Sequence, residues 1–510
     1  MPRTRRALAA ALALWPAVGA EAQQEPLSAI DWLSRSVAEP PVALPGPAPQ
    51  TPPARPPITV APLAATNLDA VGLLPPSATG LPADLWGTTP TEELARLLRA
   101  ERIDTLPAIQ GLLMTLLLAE LDPPAESDGS GALFLARIDK LLDLGALDPA
   151  LALLERTAPP RAEPFRRWFD IALLLGQEDA ACGLMRDNPQ IAPTFPARVF
   201  CLARGGDWTA AALSLSTGAA LDRITPEMEE LLARFLDPAL AEGADPLPRP
   251  RRPSPLVLRL MEAIGQPLPT ATLPVAFAHA DLRSNTGWKA RIEAGERLAR
   301  VGAIPANRLL GLYTEQRPAA SGGVWDRVAA IQRLDTALTA RDPVAVAAAL
   351  PPAWAQMEAM ELEVAFATLY GPALARMPLK GTAGSLAFRI GLLSEDFAEV
   401  AAARRPGDGT EAFLAGLAAG EVQGLAAPGK LGAAIRAAFA PFAQPGPEAA
   451  QRLAGGRIGE ALLIAIEQVT EGAKGDLRDV TEGLVVLRRV GLEATARRAA
   501  LELLLLERRG

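Results

Sequence analysis

Leucine and alanine recur at steps of three and four residues through most of this chain, as in Leu94, Leu97, Leu98 and then Ile109, Leu112, Leu113, Leu116, with almost no β-branched alternation. That spacing stacks apolar side chains on one face of an α-helix, where a strand would need a period of two. Glycine, Asp-Pro or Pro-Pro interrupts the pattern every 10 to 18 residues, so the body reads as many short helices joined by tight turns. Thr89-Pro90-Thr91-Glu92 opens it with the form of a capping box, proline standing at the first helical position. With 510 residues, 49% of them apolar, the chain can bury a large core, either as about three domains or as one elongated repeat.

A weak internal repeat runs through the helical body: a turn glycine followed five residues later by alanine. It occurs at Gly145/Ala150, Gly176/Ala181, Gly206/Ala211, Gly456/Ala461 and Gly491/Ala496, the first three glycines lying 31 and 30 residues apart and the last two 35 apart. Glycine can close one helix in the left-handed conformation, and alanine one turn into the next lets the two helices approach closely. The segment LLDLGALDPALALLERT (141–157) resembles the helix–turn–helix of tetratricopeptide repeats, whose glycine and alanine fall at this offset. The resemblance implies an all-α, helical-hairpin solenoid of degenerate tetratricopeptide type. As a whole the chain also resembles exported bacterial proteins labelled "antifreeze", but it has no regular threonine array of the kind an ice-binding face needs.

The N-terminus reads as a secretory signal peptide. Arg3, Arg5 and Arg6 precede a short apolar stretch, residues 7–18, and Ala20-Glu21-Ala22 forms an A-x-A cleavage site before Gln23. Thr4-Arg5-Arg6 leaves twin-arginine export open beside the general secretory route. A proline-rich tether follows: fourteen of the 51 residues from 40 to 90 are proline, which favours an extended, unpacked backbone. Before it, residues 27–37 form a short amphipathic segment with Ile30, Leu33 and Val37 on one face and Trp32 close by. Within it, residues 58–60 and the run Leu68, Val71, Leu73, Leu74 are more apolar than a spacer requires. Either these segments wrap over the protein's own helices, or they are held out as a docking motif for a partner. No stretch reaches the length of a transmembrane helix.

Composition removes most reagents for catalysis. His279 is the one histidine, and Cys182 and Cys201 are the two cysteines, too few for a structural zinc site or a His-rich catalytic one. A Ser-His or Cys-His nucleophile would have to use His279, which Asp281 could orient as a general base; the plainer reading is a helix-surface or capping histidine. Ser321-Gly322-Gly323 could offer backbone N–H groups to an anion, but it lacks the Lys-Ser/Thr of a phosphate loop and reads better as a hinge. The acidic runs Glu227, Glu229, Glu230 and Glu358, Glu361, Glu363 read as solvated helix starts. A net charge of −8 argues against nucleic acid as a partner. The C-terminal ALELLLLERRG, apolar on all sides at 503–506, reads as a helix docked on its own fold rather than as an oligomer interface.

Four regions are therefore expected: signal peptide 1–22, tether 23–88, N-terminal solenoid 89–246, and C-terminal helical domain 247–510 after the polar, proline-rich break at 247–255. In an oxidising exported compartment Cys182 and Cys201 should pair, since each falls near a turn of adjacent hairpins. The expected function is a non-enzymatic periplasmic or secreted binding or assembly module, without cofactor or metal, taking an envelope protein or peptide. The alternative is an envelope glycan hydrolase of lytic-transglycosylase type on a superhelical scaffold. Its catalytic Glu-Ser pair has no suitable helix, since Glu126-Ser127 stands in the loop PPAESDGSG.

Overall fold

The computed structural model describes residues 67–157 and 161–506, and there the chain is all-α, with 25 α-helices and no strand. The expected signal peptide, the segment carrying Ile30, Trp32, Leu33 and Val37, and residues 58–60 lie outside the described residues.

The turn glycines do what their spacing implies. Gly145, Gly176, Gly206, Gly456 and Gly491 all have φ between 70° and 89°. Each is followed by an N–H that reaches back five residues, as in Ala146 to the Leu141 carbonyl at 2.8 Å and Leu492 to the Leu487 carbonyl at 2.9 Å. This is the bond pattern that closes a helix through a left-handed residue. The alanine five residues after each glycine (Ala150, Ala181, Ala211, Ala461, Ala496) is fully buried at the crossing of the two helices. Of three further turns with this backbone geometry at a non-glycine residue, Asp222, Arg341 and Glu361, the last two also bury the residue five on. Arg341 (φ 52°) and Glu361 (φ 54°) take the left-handed position, the back-bonds run from Asp342 to Ala337 and from Leu362 to Met357, and Val346 and Phe366 are the buried residues five on.

Proline does not always end a helix here. The helix Pro343–Glu358 runs through Pro351 and Pro352. Both prolines are exposed, so the carbonyls of Ala347 and Ala348 that lose their donors lie on the outer side, where water can serve them.

Two hydrophobic cores share a wall. The smaller contains Phe165, Phe169, Leu173, Cys182, Phe200, Cys201 and Met261 and draws on residues 165–261; the larger draws on residues 68–154 and on most of the chain after 258. The helix Ala162–Leu175 faces both, giving Phe165 and Phe169 to the smaller core and Ile171 and Leu174 to the larger. Pro255–Ala263 packs on it and likewise divides, Leu260 to one side and Leu258 to the other. The break at 247–255, read as a boundary between halves, therefore lies inside the span of the smaller core. Its Ser254 is buried and accepts the Val257 N–H, capping the helix that returns the chain to the shared wall.

The last described helices also return to the first long ones. Glu493–Leu505 packs against Pro107–Leu118, and Ile458–Ala473 touches both Thr91–Ala100 and Pro107–Leu118. Polar contacts mark this seam: Thr105 to Thr470 at 2.7 Å, Arg102 to Glu471 at 3.0 Å, and the Ala108 N–H to Glu502 Oε2 at 2.8 Å. Leu106, at the N-cap of Pro107–Leu118, has no side chain able to cap, so Glu502 satisfies a helix-start donor from the far end of the sequence. Thr89 departs from the capping-box reading. Pro90 occupies the N-cap position without a side-chain bond, while the Thr89 hydroxyl donates to Glu460 at 3.3 Å across the same seam.

Residues 67–88, expected as the end of the tether, are packed. Leu85 and Trp86 are buried, Leu74 pairs its backbone with Ala119, and the Gly459 N–H donates to the Leu85 carbonyl at 2.9 Å. Gly459 has no side chain because the Trp86 ring lies where its Cβ would be. For the run Leu68 to Leu74, wrapping over the body is the reading that holds.

Candidate functional site

His279 is not on a helix surface. It is buried, and its Nε2 donates to the Gly145 carbonyl at 2.7 Å, tying a hairpin turn to the short helix Ala278–Asp281. Burial holds its pKa below the ordinary imidazole range, the bond to Gly145 opposing this in part, so the ring is neutral at pH 7. Nδ1 has no partner, and Asp281, the supposed orienting carboxylate, accepts from the Thr270 hydroxyl instead. The arrangement clamps a turn.

The Ser321-Gly322-Gly323 loop spends a donor on its own helix: the Gly322 N–H donates to Asp326 at 2.9 Å. Glu227, Glu229 and Glu230 are exposed at the start of Pro226–Leu236, as a solvated first turn requires, whereas Glu363 is buried at the start of its helix.

Buried charge elsewhere is matched within the fold. Arg137 is enclosed and donates to the carbonyls of Leu117, Val71 and Ala119, each at 2.8 Å, serving as a cationic cap for the helix ends that converge there. Burial lowers its pKa to about 10, which leaves it charged. Arg327 holds Glu296 through two bonds of 2.6 and 2.7 Å, and the Tyr313 hydroxyl donates to the same carboxylate at 2.8 Å. Asp170 is the exception. It lies buried on the shared-wall helix, its Oδ1 has no partner, and burial pushes its pKa up to about 8 against the pull of Arg166 and Arg167.

Two concavities stand out. One, of about 610 Å³, is built on the helices Glu178–Asp187 and Phe195–Arg204. Cys182 and Cys201 lie in its lining, their sulfurs at disulfide distance and their Cα atoms 5.0 Å apart, so the expected pairing of these two residues has the geometry it needs. Arg186, Arg198 and Arg204 surround it. The other, of about 350 Å³, runs between Pro107–Leu118, the turn at Gly302 and Glu363–Ala375. Small and apolar residues line it, among them Gly111, Val301, Ala306 and Ala365, and Arg300, Glu361 and Glu395 add charge. Neither cavity is visible in the sequence: the first needs three arginines, spread among 50 basic residues, to be brought together, and the second needs Pro107–Leu118 to meet Glu363–Ala375.

Among the described residues, no group of three or more His, Cys, Asp or Glu is placed to hold a metal ion, and no helix is long and apolar enough to cross a membrane. Comparison of the chain with protein-family models, curated proteins and solved structures yields no match.

Proposed function

We propose that the chain is an exported α-solenoid of tetratricopeptide-like hairpins, acting as a non-enzymatic binding or assembly module in the periplasm or outside the cell. The observation that carries this reading is the single turn design used seven times among the described residues, a left-handed residue whose successor bonds back five residues and which is followed five positions on by a fully buried one. Helix pairs stacked in this way bury one face and leave another for ligands. The groove between Pro107–Leu118, Gly302 and Glu363–Ala375 is the surface offered to an envelope protein or peptide, since its small side chains admit close approach of a helix or strand. Export is supported by the signal-like N-terminus and by the cysteine pair, which suits an oxidising compartment.

The test uses the mature protein as bait in cross-linked envelope extracts, beside Gly111→Arg, a change into open space on the groove wall. A defined partner is captured by the native protein and lost with G111R at an unchanged melting temperature. Capture of the same set by both would refute the groove. A mature N-terminus still at Met1 would refute export, and turnover of purified peptidoglycan, abolished by substituting Glu361 or Glu395, would replace the module with the hydrolase alternative.

A further inference from the structure

We propose that the cavity on the cysteine-bridged hairpins binds an organic anion, a carboxylate or phosphate head on an apolar body. This stands apart from the partner groove and survives its failure. The floor is apolar, formed by the Cys182–Cys201 pair with Met185 and Leu202, and its volume of about 610 Å³ falls in the range of small-molecule sites. The charge around it is unbalanced. Arg204 is occupied by Asp179, with bonds of 2.6 and 3.1 Å, and also lies 3.6 Å from Glu178. Asp207, the other acid in the lining, accepts the Ala210 N–H at the start of its own helix. Arg186 and Arg198, one from each hairpin helix, are exposed and form no ion pair among the described residues.

One of these guanidinium groups lies over glycine backbone on both sides. A Cβ at Gly183 would sit 4.0 Å from one terminal nitrogen of Arg186, and a Cβ at Gly205 would sit 4.0 Å from the other. The fork thus spans from one hairpin to the next over glycines that place no side chain against it. A guanidinium fork matches the two oxygens of a carboxylate or phosphate, and a concave setting strengthens its field. The floor then takes the ligand's apolar body. Because the cysteine bridge joins the two helices that carry Arg186 and Arg198, it also fixes the distance between the two charges.

Isothermal titration of the oxidised mature protein tests this with decanoate and decyl phosphate, against decanol and decylammonium. Both anions should bind saturably at one site, the stronger of the two naming the preferred head, while the alcohol and the amine should not. Arg186→Gln and Arg198→Gln should each weaken anion binding about tenfold, the loss of one charge-assisted contact, at an unchanged melting temperature. Reduction of the bridge should weaken it as well. Failure of both anions to bind at millimolar concentration, equal binding of decanol, or anion binding untouched by both arginine substitutions would overturn the proposal.

Discussion

Asp170 sets up a pH dependence that one substitution can isolate. Its carboxyl is buried on the helix common to both cores, lacks a partner for Oδ1, and has its pKa raised to about 8 by burial. In the unfolded chain the same group ionises near 3.9. Between those two values the native state holds one proton more than the unfolded state, so stability falls as pH rises, by about 1.4 kcal/mol per pH unit. The contribution is complete below pH 4 and is lost as the pH climbs through 8. Asp170→Asn keeps the shape and removes the titration. From pH 5 to pH 8 the stability of the variant relative to the native protein should therefore rise by roughly 3–4 kcal/mol. Any fixed cost of the buried amide shifts the whole difference without changing its slope. Other titrating groups cancel in the difference, including Glu101, whose carboxyl is pushed up to about 8 by burial and by Glu467. Urea unfolding of both proteins at pH 5, 6, 7 and 8, followed by tryptophan emission, supplies the data. Parallel curves across that range would mean that Asp170 is hydrated or ionised in the folded protein, and the reasoning from burial would fail.

Gly206 has open space around its Cβ position and φ of 84°, so Gly206→Ala should cost about 1 kcal/mol from backbone strain alone, read as a lower urea midpoint, while Glu361→Gly should be neutral or slightly stabilising. Breaking the Cys182–Cys201 bridge should lower stability by about 3 kcal/mol for a loop of this length, and thiol titration of the unreduced, denatured protein should find no free cysteine. His279→Ala should destabilise the fold by roughly 2–3 kcal/mol, since it empties a buried site and frees the Gly145 carbonyl. In the native protein the histidine's lowered pKa makes its stabilising share complete above about pH 6.5 and lost as the pH falls below that, a slope that His279→Ala should remove.

The sequence is readable where one residue type has one physical use. Glycines at five turns have no substitute as cheap in the left-handed region, and the alanines after them mark close helix crossings, so both could be read from spacing. Arg341 and Glu361 occupy the same backbone position with side chains that carry no such signal, which hid two of the seven turns. Thr89 failed differently: threonine before a Pro-Thr-Glu start has the form of a cap, but a partner 371 residues away claims its hydroxyl. The cavities depend on the same kind of distant meeting. Arg186 and Arg198 look like ordinary solvated arginines until a hairpin sets them across the cysteine bridge, and His279 looked exposed because the carbonyl it clamps is 134 residues upstream.

Closure of the helix circuit changes what the proposed repeat can be. In an open stack each unit touches only its neighbours, end units need polar outer faces, and removing one end leaves the other folded. Here Ile109 and Leu113 are wholly buried on a helix that packs against Glu493–Leu505, and the Ala108 N–H depends on Glu502. Trp86 packs where Gly459 has no side chain, so the segment before the first long helix is held by the last quarter of the chain. Cutting the chain before Ile458 would strip the cover from Pro107–Leu118 and leave its apolar residues facing water. Each large side chain uncovered forfeits about 1.5–3 kcal/mol, so a few of them exceed the margin of a typical domain. The first and last described helices therefore fold as one cooperative unit, and the smaller core at 165–261, which meets the larger one at the helices Ala162–Leu175 and Pro255–Ala263 and at Leu268, is the part free to vary its own cavity without disturbing that closure.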